Sequence, residues 1–162
     1  MFSPSLILLA RAIHILAGVY WAGAMFVLVG SLLPAMRSGG GPALSPVMKS
    51  LGMRSGAAAL LSIFAGLYLF AGLHAHDDSA GGKVLGIGAA AGILAFLVGV
   101  LVNMPASRKL AQLSANPPAD PQQRAQQAAA LQSRVTLGTR LIALLMFVAV
   151  LCMAVFRYAA LI

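Results

Sequence analysis

The sequence predicts an all-α integral membrane protein folded as a four-helix up-down bundle. Of its 162 residues 60% are hydrophobic and 9% are charged, whereas charged residues make up about a quarter of a soluble domain. Four apolar runs, Leu6–Leu33, Ser55–Leu73, Val84–Met104 and Leu141–Phe156, approach or exceed the roughly 20 residues of helix that cross a bilayer. A chain in hydrocarbon must satisfy its own backbone, so each run is expected to be helical. Short connections then place neighbours antiparallel.

The expected spans are 5–34, 53–74, 83–106 and 137–159 in a single domain over 1–162. The first begins with "MFSPS", which carries no positive charge. It is therefore expected to be a permanent helix, although Ala22-Gly23-Ala24 resembles a leader cleavage site. "RSGGGPALSP" follows, with three consecutive glycines and two prolines that break helix, and "VMKSLGMR" leads into the second span. The third span is expected to continue through "RKLAQLSA" and to stop at Asn116-Pro117-Pro118. Asp120 then reads as an N-cap with Pro121 at the first helical position. The Gln/Ala-rich run after it favours helix and merges into the fourth span, so that 107–136 forms a polar extension.

The formal charge of +8 bears on topology. Basic residues stand singly in loops without the aromatic neighbours of a nucleic-acid surface, and no nucleic-acid partner is expected. The first connection holds Arg37, Lys49 and Arg54, and the third holds Arg108, Lys109, Arg124, Arg134 and Arg140. The second has only Lys83, beside Asp77 and Asp78. By the positive-inside rule the first and third connections are cytoplasmic. Both termini are then periplasmic, in a bacterial inner membrane.

The two halves carry a weak repeat. "VGSLLPAMR" at 29–37 resembles "VGVLVNMPASR" at 98–108, and the runs from Arg54 and Arg140 are alike. Matching Gly30 to Gly99 gives an offset of 69, which carries His14 onto Lys83.

Chemistry-bearing residues are few. On the first helix His14, Ala17 or Gly18, Trp21 and Met25 share one face, and the small residues allow close approach. An ionisable group inside a span usually faces the bundle and marks a functional site, and imidazole is a common ligand for metals and haem iron. A histidine simply hydrogen-bonded to a neighbouring helix is the competing reading. "HAHDD" places His74 and His76 before Asp77 and Asp78, a set suited to copper or zinc or to an ordinary polar turn. Arg11, Lys83 and Arg157 fall at the same end of the bundle, positioned either to pair with haem propionates or to reach the headgroups. Cys152 is the single cysteine and implies no disulfide within the chain. No Ser/His/Asp set, carboxylate pair or phosphate loop is present, and no span holds a buried acid, which argues against hydrolysis, phosphoryl transfer and proton pumping.

The pattern "HILAGVYWAG", with His14, Gly18, Trp21 and Gly23, resembles the first helix of the superfamily that includes the copper resistance protein D domain. It is also similar to the opening of HemJ-like protoporphyrinogen oxidases, whose functional helix-one histidine and helix-three lysine match His14 and Lys83 here. Fainter likeness runs through "PAMR" and the arginine before the fourth helix. The Asn-Glu-Pro motif of the oxidases is absent, since this chain reads "SRVTLGTR" there, so the copper- or haem-associated branch is the better analogue.

The resemblance implies a protein that binds haem b or copper and acts in electron transfer or copper handling. His14 would be the principal ligand, Lys83, Trp21, Gly18 and Arg11 would line the cofactor, and His74 and His76 would be further metal ligands. Two alternatives stand beside it: an accessory subunit packed against a larger respiratory or photosynthetic membrane complex, and a HemJ-like oxidase. Apart from the lipid bilayer, the expected partner is such a complex or a second copy of the chain in a homodimer.

Overall fold

A computed structural model describes residues 3–75 and 77–159. It is all-helical, with no strand among the described residues. Four helices are long and apolar enough to cross a membrane: α1 (Pro4–Ala35), α2 (Ala43–Leu73), α3 (Ala80–Ala115) and α4 (Pro121–Val155). The protein is thus a multi-pass membrane bundle. α1 packs along α2, and α3 along α4. The two hairpins meet chiefly where α1 touches α4, with a slimmer α2–α3 contact, while α1 and α3 lie on the diagonal.

Each terminus has a local cause. Pro4 opens α1, where its missing N–H costs nothing. The α1–α2 connection is tighter than a flexible link, for α2 begins about ten residues before the expected 53. Helical turns continue through Met36–Gly40, and the kink falls at Gly39, whose φ of 105° excludes most other residues. Ser79 caps α3 by accepting the Gly82 N–H at 3.0 Å. α3 runs past the membrane to Ala115 and stops before Asn116-Pro117-Pro118. Asp120 caps α4 by accepting the Gln122 N–H at 2.8 Å, with Pro121 at the first position.

α1 and α3 share a further device. Each contains a single wide π turn, Leu28–Leu32 in α1 and Gly99–Asn103 in α3. The Leu33 N–H closes onto the Leu28 carbonyl, and the Met104 N–H onto the Gly99 carbonyl. Pro34 and Pro105 follow directly. A proline cannot donate to the carbonyl four residues back and its ring collides with it, and widening the preceding turn accommodates both defects. The halves therefore correspond at an offset of 71, taking Leu28 to Gly99 and Pro34 to Pro105. This corrects the offset of 69, and His14 then falls on Leu85 rather than Lys83.

All four helices contribute to one core. Trp21, Ala22, Met25 and Leu28 of α1 meet Ala58 and Ala59 of α2, Ala95 of α3 and Ile142, Ala143 and Met146 of α4. Alanines at the crossings let the backbones approach, as lipid-embedded packing requires. Leu8, Leu16, Val19, Phe64, Leu101 and Phe147 face outward, the reverse of a water-soluble pattern and suited to acyl chains.

Candidate functional site

The site is built from the α1–α2 groove upward. His14 stands two turns before Trp21 on the inward face of α1, half-buried where Trp21 is buried. Its Nδ1 lies 2.8 Å from the Ser62 carbonyl oxygen. A carbonyl can only accept, so the ring proton sits on Nδ1. Ser62 returns the contact weakly, its hydroxyl donating to the His14 carbonyl at 3.4 Å and lying 3.4 Å from Nδ1.

Two glycines make this approach possible. A Cβ at Gly66 would stand 2.8 Å from His14 Cε1 and 2.9 Å from Nδ1, and one at Gly18 would stand 3.2 Å from the Ser62 hydroxyl. Ser62 and Gly66 are one turn apart on α2, a small-residue pair that forms a seat for the ring. Nε2 has no hydrogen-bond partner among the described residues. The imidazole is thus anchored through one nitrogen and left with a lone pair on the other. That is how a ligating histidine is oriented by its second shell.

The other sequence candidates are distributed rather than gathered. Gly18 and Trp21 share the His14 face, but Trp21 is 5% exposed and fills the core between the helices. Arg11, Lys83 and Arg157 are exposed, and Lys83 opens α3, diagonally across the bundle from α1. His74 donates from Nδ1 to Asp77 at 3.3 Å and meets the Phe156 ring edge-on at 6.0 Å. Asp77 also accepts the Ser79 N–H at 3.1 Å. Hydrogen bonds from Ser79 and then His74 hold the Asp77 carboxyl below the ordinary carboxylate range. His76 lies outside the described residues. Among the described residues no three His, Cys, Asp or Glu side chains come together to hold a metal ion.

A second polar node lies at the other end of the bundle. Asn103, in the α3 π turn, donates from Nδ2 to the Thr139 hydroxyl at 3.1 Å, and Thr139 donates to the Val135 carbonyl at 2.7 Å. Asn103 Oδ1 is buried without a hydrogen-bond partner and rests against Gly138, where any Cβ would collide with it. Sequence reading singled out neither this node nor the Ser62–Gly66 seat. The available signals were an asparagine before Met-Pro, a Gly-Thr pair, and Ser62 four residues before Gly66 inside a span.

Comparison with known protein families, curated proteins and solved structures returned no match for this chain.

Proposed function

We propose that the chain is a membrane haem b protein in which His14 Nε2 would hold the haem iron. The observation that carries this reading is the engagement of Nδ1 by the Ser62 carbonyl, which fixes the tautomer and leaves Nε2 basic and unpartnered. One imidazole suffices for haem iron. A copper ion ordinarily takes several nitrogen or sulfur donors, which the described residues do not assemble. The donor set thus favours haem over copper.

Bound haem would supply one-electron chemistry between its ferric and ferrous states. The chain's own contributions are separable. Ser62 and Gly66 orient the imidazole. Trp21 and Met25 close the bundle axis two to three turns further in, so a cofactor held by His14 would enter from the groove side. Arg11, exposed one turn outward from His14, would pair with propionates. The chain sits in a bacterial inner membrane with both termini, and the Arg11 side of the site, toward the periplasm.

The test is a visible spectrum of protein purified in mild detergent and supplied with haemin. A Soret band should appear in the wild type, vanish in His14→Ala, and weaken or shift in Gly66→Ala, which displaces the ring without removing it. Failure of the folded wild-type protein to develop the band overturns the reading. Stoichiometric co-purifying chains with a colourless protein would favour the accessory-subunit role.

A further inference from the structure

Seven of the chain's exposed cations crowd one end of the bundle. Lys49 and Arg54 come from α2, Arg108 and Lys109 from α3, and Arg124, Arg134 and Arg140 from α4. Only one of the chain's three acids, Asp120, lies at that end, and its carboxylate is committed to capping α4. The His74–Asp77 contact at the opposite end is the one ion pair between described residues. Lys49, Arg54, Arg108, Lys109, Arg134 and Arg140 therefore have no carboxylate partner among the described residues.

Their heights are informative. Measured from the opposite ends of their helices at ~1.5 Å per residue, Arg140 lies about 22 Å along its span, Arg54 about 28 Å and Arg134 about 32 Å. On the same rise, Lys49 lies at about 36 Å and Arg108 at about 42 Å. The hydrocarbon core is ~30 Å thick, and the headgroup layers add several ångströms beyond it. Arg54, Arg134 and Lys49 thus fall within about 6 Å of the acyl–headgroup boundary, Arg140 lies deeper, where its stem reaches outward, and Arg108 stands just beyond, the set being spread over three helices.

We infer that this end is a collar that binds anionic phospholipid headgroups. Guanidinium and ammonium groups donate to phosphate oxygens in charge-assisted hydrogen bonds, the arginine stems lie along acyl chains while their heads reach the phosphates, and unpaired charge near the acyl boundary on three helices meets lipid rather than a single soluble partner. An acidic protein or nucleic acid in water would not reach Arg140 and Arg54, which lie at or inside the acyl boundary.

The full chain in detergent is offered mixed phosphatidylglycerol and phosphatidylcholine, and retained lipid is read by native mass spectrometry. Phosphatidylglycerol should be enriched, with about a fivefold loss per cation removed. The Lys49→Gln/Arg54→Gln/Arg134→Gln/Arg140→Gln variant should lose the enrichment, and Lys83→Gln/Arg157→Gln at the other end should keep it. As a control independent of the insertion of the fourfold variant, the wild type is also titrated with salt, which should reduce the enrichment as the Debye length shortens. Equal retention of the two lipids, insensitivity to salt, or equal competition by soluble glycerophosphoglycerol would each overturn the proposal, the last by pointing to a free phosphate-ester site.

Discussion

At the scale of single residues, two glycines seat polar side chains from a neighbouring helix. Gly66 seats the His14 ring and Gly138 seats the Asn103 amide, and in both a polar group on one helix lies against the backbone of its neighbour. Adding a methyl group there is overpacking, which costs roughly 1–3 kcal/mol. Gly66→Ala and Gly138→Ala should each lower the melting temperature in detergent. Gly23→Ala and Gly86→Ala, where a Cβ meets nothing within 4 Å, should leave it unchanged or raise it slightly, because alanine is the better helix former. Equal melting of all four variants would show that the seats do not bear on stability. His14 and its inward face were legible in the sequence because periodicity alone reveals them. Ser62 and Gly66 were not, since the register between two helices depends on how closely their backbones approach, and a single helix's pattern carries no record of that.

At the scale of elements, the π turns act as single-residue insertions that rotate everything beyond them by about 100° relative to a regular helix. Beyond the α3 turn, Ala106 is 3% exposed on the stretch that packs against α4. Removing the outward-facing Leu101 together with Pro105→Ala should restore a regular helix and keep Ala106 in contact, so that the melting temperature stays near that of the wild type. Deleting Leu94, which is also outward-facing but lies in a regular stretch, should swing the downstream face away from α4 and unfold the bundle. Comparable melting of the two deletions would rule out this account. The repeat was visible in the sequence but misaligned by two residues, because matching glycines ignored the prolines that dictate where the wide turns fall. The outer turn has its own signature. The Asp77 carboxyl is held low by Ser79 and then His74, so its ionised form is favoured in the folded turn. The stabilisation is present above the unfolded carboxylate range and lost as pH falls through the lower folded value. Protection of the Ser79 amide relative to its intrinsic exchange rate should therefore persist down to about pH 4 and fall below it, and Asp77→Asn should give fast exchange at neutral pH. Slow exchange in that variant would show that the carboxylate does not hold the turn.

At the scale of the whole molecule, the eight basic residues and one acid at one end, against three basic residues and two acids at the other, set the direction in which the bundle sits. The short connections fall within the range where positive charge governs orientation. His14 is ten residues inside α1 from Pro4, about 15 Å at the helical rise and near the middle of a ~30 Å core, so the orientation decides which compartment lies on the Arg11 side of the imidazole. In a Cys152→Ala background, Asp78→Cys between α2 and α3 and Ala115→Cys at the end of α3 provide one exposed thiol at each end. A membrane-impermeant maleimide applied to intact spheroplasts should label Asp78→Cys and spare Ala115→Cys until the cells are broken. The reverse pattern would place both termini in the cytoplasm and move the His14 groove toward cytosolic redox partners, while the lipid collar, which depends on height in the membrane and not on side, would still hold.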